Sequence, residues 1–367
     1  MPRLALLLHA FFAGVLRLPF LFYRLWCAVG LLVLFLLICG FLAGPVLLIS
    51  RFGLWVLLLY AVPLFWGLQG CPSPFASFMA WIGTLKVFCR PLCVIEDPGA
   101  YKIKGKDSRA ILAALCPGDI LLRGYDGYVD GFFIRRLSGT GGKVGTFTHA
   151  ALYVGLLTEA ERKLAAVDLR IQDTVGNWVQ ASEALKEAAR HNLFDTGEQM
   201  VIHSMGHGIH AEDILTFCRC DQLAILRLPE VIQAGTGHKE FFTLQEGSDE
   251  YALQQRLLET KVKISREEVV TSAIKSALGK IGSAYDFECG SLEDHRFTCS
   301  EFVYYCYRSI HQYIGLLPQQ HSLFGVSWLL PRETITPDDL YEISASPQTG
   351  ESLENRLTVV WKNTTSW

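Results

Sequence analysis

Acidic residues are missing from the first quarter of this 367-residue chain: no Asp or Glu precedes Glu96. The same stretch is poor in charge of either sign. It holds only Arg3, Arg17, Arg24, Arg51, Lys86 and Arg90, a net +6, which leaves −9 for the remainder of a chain whose total is −3. A basic, acid-free, apolar head before an acidic body predicts a membrane region over residues 1–95 and a folded domain over 96–367. Residues 25–50 and 52–85 carry no charge at all. Spans are expected near 25–50 and 53–70, joined by a tight hairpin at Arg51-Phe52-Gly53, with interfacial helices over 4–23 and 75–88. The apolar region is far too long for a simple cleaved signal peptide. Basic residues flank both ends of the predicted hairpin. The expectation is therefore a hairpin-anchored or multi-pass membrane protein with its folded domain in the cytoplasm.

Other absences exclude other classes. The eleven cysteines are odd in number and irregularly spaced, which excludes a simple disulfide framework and suits a reducing compartment. The glycine-rich stretch "GTGGKVGTF" lacks the Gly-Lys-Ser/Thr ending of a phosphate cradle. The acidic body has no basic aromatic patch, so no nucleic-acid partner is expected. Neither an internal repeat nor a low-complexity segment is present.

What is present from residue 108 onward is a mixed pattern of strands and helices. "GDILLRG", "THAALYVGLL", "QMVIHSMG" and "LAILRLP" read as strands, and "YVDGFFIRRLSG" and "SREEVVTSAIKSALGKIG" as helices. Residues 156–200 read as a polar, helix-prone connection. In "RFTCSEFVYYCYRSI", Thr298 and Glu301 have capping-box spacing, so Cys299 becomes the first residue of a helix whose apolar face includes Val303, Cys306 and Ile310. A thiol at the positive end of a helix dipole is expected to favour thiolate, the nucleophilic form. Such a nucleophile needs an imidazole, and that imidazole needs an orienting partner. His149 sits in a strand, beside Ala151 on the same face, where a small neighbour leaves room for another element. A rival cluster, His203, His207, His210, Cys218 and Cys220, has metal-ligand residue types. Its spacing fits no recognised zinc module, and neither a metal nor a cofactor is expected.

Five motifs in order, "CPGDILLR", "FTHAALYVG", "GSAYDF", "FTCSEFVYYCY" and "ITPDDL", resemble the permuted papain-like amidases typified by YiiX and YaeF. These are relatives of the NlpC-type cysteine hydrolases and of lecithin:retinol acyltransferase-like proteins. The resemblance covers roughly residues 115–340, with long unmatched insertions. It implies an α+β, circularly permuted papain-like fold, with an antiparallel sheet packed on the nucleophile helix. It implies Cys299 as nucleophile and His149 as base, in inverted chain order relative to papain. The third polar residue is His203, in "VIHSMGHGI", or alternatively Glu183, in "VQASEAL". Tyr285 matches the family's Tyr-Asp pair and offers oxyanion support, as does the main-chain N–H of Cys299. Asp119 of "PGD" reads as a turn cap.

The function expected is a membrane-anchored cysteine hydrolase or acyltransferase. It would act through a thioester on an amide or ester, with lipid-linked substrates favoured over peptide amides by the predicted membrane location. The alternative is a catalytically silent lipid-binding or scaffold protein on the same fold.

Overall fold

Alternation of apolar residues produces a six-stranded antiparallel sheet. Its strands are β1 (Ile120–Gly124), β2 (His149–Gly155), β3 (Met200–Met205), β4 (Gly208–Asp213), β5 (Gln222–Arg227) and β6 (Thr358–Asn363). Their spatial order is β6-β5-β1-β2-β3-β4. The computed structural model describes residues 101–126, 129–138, 144–195, 197–233, 244–259, 262–287, 294–322, 332–345 and 356–363. All of these belong to one compact unit of the chain. The spans and interfacial helices expected over residues 1–95 lie outside the described residues. Among the described residues no helix is long and apolar enough to cross a membrane.

The two faces of the sheet bury different partners. Ile120, Leu122, Ala150, Leu152, Ile202, Ala224 and Leu226 face one way, in one cluster with residues of helices α1 (Arg266–Gly279) and α2 (Cys299–Cys306). Leu121, Ala151, Tyr153, Val201, Leu223 and Ile225 face the other, against Ile111, Ile214 and Phe217. Strand periodicity of two makes this division automatic once the register is set. Leu122 pairs with Ala150, Arg123 with His149, and Leu152 with Ile202.

Capping chemistry fixes the helix starts. Glu268 and Ser265 close the box on α1. The Thr298 hydroxyl accepts from the Glu301 amide, while the Glu301 carboxylate accepts from the Thr298 amide at 2.9 Å. The other Glu301 oxygen accepts from the Thr334 hydroxyl at 2.8 Å, so this buried carboxylate has partners on both oxygens. At the end of α2, the fully buried Tyr307 donates its hydroxyl to the Gly118 carbonyl at 2.6 Å. Asp119 accepts from the Cys116 amide at 2.7 Å and is paired with Arg227 at 2.6 Å. Helix α2 is thus tied directly to the Pro-Gly-Asp turn that begins β1.

The connection over 156–200 contains a short helix Glu159–Lys163, a small hairpin (Arg170–Gln172 with Trp178–Gln180) and a helix Glu183–Asn192. Helix α3 (Pro337–Ala345) follows Thr336, whose amide and hydroxyl both donate to Asp339.

Candidate active site

Two histidines meet on the face of the sheet opposite α1 and α2. His149 is the first residue of β2, and His203 lies in β3. Nε2 of His149 is 2.7 Å from Nδ1 of His203, so one proton is shared between the two rings. Both are buried, at 8% and 0% exposure. Phe217 packs against them, with ring centroids 6.0 Å from His149 and 5.5 Å from His203.

The β3–β4 hairpin extends this group. Gly206 and His207 form a two-residue loop between Met205 and Gly208, which sets His203 opposite His210. Gly208 has φ +102, and a Cβ there would come within 2.6 Å of the Ser283 carbonyl oxygen, so glycine is needed on both counts. The His203 and His210 ring centroids are 4.2 Å apart with the planes tilted by 45°, and those of His210 and His207 are 4.1 Å apart, tilted by 44°. Two residues beyond His210, Glu212 places Oε2 3.4 Å from His203 Nε2. That contact is within ion-pair distance but falls short of an aligned hydrogen bond, since His203 Nε2 has no such partner. The same oxygen lies 3.3 Å from Arg123, which is 3% exposed. Arg123 also donates to the Phe217 carbonyl at 3.3 Å and lies over the Phe217 ring at 4.1 Å.

Cys299 reaches β2 from the other face. The Ala150 amide and Ser300 are the groups that favour its ionised form, and among the described residues no hydrogen bond joins it to an imidazole. Ala150 is the residue after His149, so thiol and imidazole flank the same point of main chain from opposite sides. The room expected beside Ala151 is taken instead by the Phe217 cluster, and α2 packs on the Ala150 side.

Charge states follow from burial. Burial pushes the Cys299 thiol above the usual cysteine range, and the hydrogen bonds from Ala150 and Ser300 oppose it only in part. The expected thiolate preference is therefore corrected. A helix terminus contributes about 0.3–1 kcal/mol, less than the cost of desolvating a thiolate here. Burial, then the charge of Arg123, holds His149 well below the ordinary histidine range. His203 is lowered too, first by burial. His210 is lowered to about 4, again chiefly by burial. Cys299 is therefore a neutral thiol on one side of β2, and His149, His203 and His210 are neutral imidazoles on the other.

The remaining expected residues divide. Glu183 is 77% exposed and paired with Lys186 at 3.0 Å on its own helix, so it does not orient the buried His149. Tyr285 pairs in register with Phe297, two residues before Cys299, and its ring lies 4.8 Å from that of Phe287. Cys218 and Cys220 are buried in the apolar cluster behind the sheet, with burial raising both thiols, Cys218 to about 12. Among the described residues no three His, Cys, Asp or Glu side chains are grouped so as to hold a metal ion. Arg123 and Glu212 were not expected. The signal for Glu212 was present: a two-residue loop at Gly206-His207 fixes the hairpin register, and Glu212 shares the parity of His210.

No protein-family model matches the chain, and no curated protein does. Among solved structures, the chain is similar to one titled the crystal structure of the metalloprotein yiiX from Escherichia coli O157:H7. Identity is 13%, over 67% of this chain and 97% of that one, with a TM-score of 0.31. At that identity and score the likeness extends to the fold at most.

Proposed function

We propose that the domain is a papain-like cysteine hydrolase or acyltransferase, with Cys299 as nucleophile, His149 as proton shuttle and His203 as the residue that orients His149. The 2.7 Å contact between His149 Nε2 and His203 Nδ1 carries this reading. It engages the far nitrogen of His149 and leaves Nδ1, the nitrogen nearest the main chain, for the thiol of Cys299, whose helix packs on β2 at the neighbouring Ala150. Hydrogen bonds of this kind are often long in a resting enzyme and tighten with substrate bound.

In the proposed reaction the Cys299 sulphur attacks a carbonyl carbon as its proton passes to His149 Nδ1. The oxyanion formed is met by the main-chain N–H of Cys299 at the start of α2, with Tyr285 as a further donor. The C–N or C–O bond breaks, the leaving group takes the proton from His149, and a thioester remains on Cys299. Water, or an amine or alcohol acceptor, then attacks the thioester. His149 accepts that proton and returns it to the sulphur. Because thiol and imidazole are both neutral at rest, this is general-base catalysis, worth about 10²–10⁴-fold.

The apolar, acid-free head of the chain favours lipid-linked acyl substrates. Incubating the detergent-solubilised full chain with a membrane lipid extract should leave an acyl adduct on Cys299, detected by peptide mass spectrometry. An adduct on another cysteine, or none with any acyl donor, counts against the reading. The second reading, a catalytically silent lipid-binding protein, is favoured by the 4% exposure of Cys299 and its raised thiol. It predicts lipid retention without an adduct.

A further inference from the structure

The two imidazoles share one proton, and which ring donates it decides what His149 can do. A neutral imidazole has one N–H and one lone pair. If His203 carries its hydrogen on Nδ1, that hydrogen occupies His149 Nε2, and the remaining hydrogen of His149 sits on Nδ1. His149 could not then accept a proton there. If His203 carries its hydrogen on Nε2, its Nδ1 accepts from His149 Nε2–H, and Nδ1 of His149 is the lone pair.

We infer that Glu212, held by Arg123, is the positioning residue that selects the second arrangement. The inference rests on His149 serving as the base for Cys299. Glu212 Oε2 stands 3.4 Å from His203 Nε2, on the side away from His149. As a carboxylate it accepts and cannot donate, so it favours a hydrogen on Nε2. Arg123, 3.3 Å from the same oxygen, favours the ionised carboxylate. Arg123 is itself fixed by the Phe217 carbonyl, the Phe217 ring and the Met205 sulphur at 3.5 Å. Burial raises Glu212, and Arg123 is the first influence opposing it. His210 packs at a tilt against the His203 ring, while its own Nδ1 lies 3.2 Å from the Gly208 carbonyl. The chain Arg123, Glu212, His203, His149 thus runs from a buried cation to the base, as a carboxylate fixes an imidazole tautomer in serine hydrolases.

Histidine-selective ¹⁵N labelling of the full chain in detergent micelles tests this, since the two tautomers have distinct Nδ1 and Nε2 shifts. The expected spectrum near pH 7 has both His149 and His203 protonated on Nε2. Glu212→Gln, which keeps an acceptor oxygen, should retain that pattern. Glu212→Leu should shift the His203 hydrogen toward Nδ1 and slow p-nitrophenyl ester acylation at least about 10-fold. A His203 found protonated on Nδ1 in the unaltered chain overturns the inference, whether or not Glu212→Leu folds. Unchanged tautomers in Glu212→Leu overturn it as well, and leave Glu212 as a mere counter-ion for Arg123. A tautomer shift without slower acylation upholds the Glu212 link and refutes His149 as the base.

Discussion

The most consequential residue-level property is that Cys299 is buried in the same place that would make it useful. A thiol whose ionisation is raised by burial reacts slowly near neutral pH. Iodoacetamide labelling with peptide mapping should show Cys299 reacting more slowly at pH 7 than the half-buried Cys116, and accelerating as pH rises past the ordinary thiol range, about 9. Fast labelling of Cys299 at pH 6–7 would show a preformed thiolate instead. The histidines give a second pH signature. His210 is lowered to about 4, so the unfolded chain takes up its proton first as pH falls. Stability from this neutral imidazole is present above about pH 6.5 and is lost as pH falls toward 4, by on the order of 3 kcal/mol at most. Asp338, Glu212 and Glu301 are raised by burial and pull the other way, so the test is a comparison. His210→Gln should lose less stability than the parent between pH 6.5 and 4 in urea titrations. Parallel curves would refute the assignment.

At the scale of elements, the loop before β2 is held by α3. The Asp338 carboxylate accepts from the Thr146 amide at 2.8 Å and from the Phe147 amide at 3.3 Å, two residues before His149. Asp338→Ala leaves two main-chain donors unpaired and should cost about 1–3 kcal/mol in chemical denaturation. Gly145→Ala should act on the same clamp, since a Cβ there would meet the Asp338 carboxylate oxygen at 2.2 Å. Equal stability of both variants and the parent would remove the clamp from the account. Thr298→Ala should cost about 1–2 kcal/mol through the lost cap of α2. The helix starts were legible in the sequence because capping is local: Thr298 with Glu301, and Ser265 with Glu268, need only a spacing of three. The strands that carry His149 and His203 were legible for the same reason. The charge state of Cys299 was not. A dipole can be read from a helix start, whereas desolvation depends on what covers the thiol from elsewhere in the chain.

Over the whole molecule, the sheet is completed by a strand near the C-terminus. β6 covers β5, with Val359 opposite Leu226 and Trp361 opposite Ile225. "TVVWKN" is short and half exposed; its β-branched and aromatic residues suit a strand, and the apolar edge of β5 gives it a place. Removing residues 356–367 should expose that edge, lower the urea midpoint and promote aggregation. An unaltered midpoint would show that β6 contributes no stability. Arg123 illustrates the same limit for the site. In "ILLRG" it reads as a strand end, and its place beside Glu212 depends on three separate pairings, β1 with β2, β2 with β3 and β3 with β4. His149 and His203 were both named from the sequence and Glu212 follows from the hairpin register, but Arg123 meets Glu212 only across the assembled sheet.

The pairing of Cys299 with His149 is tested most directly by acylation of the full chain with a p-nitrophenyl ester. The account predicts a burst of about one p-nitrophenolate per protein, with the acyl group mapped to Cys299. Cys299→Ala and His149→Ala should lose the burst, His203→Ala should slow it by less, and His207→Ala should leave it intact. A burst that survives in His149→Ala, or one lost in His207→Ala, would contradict the account.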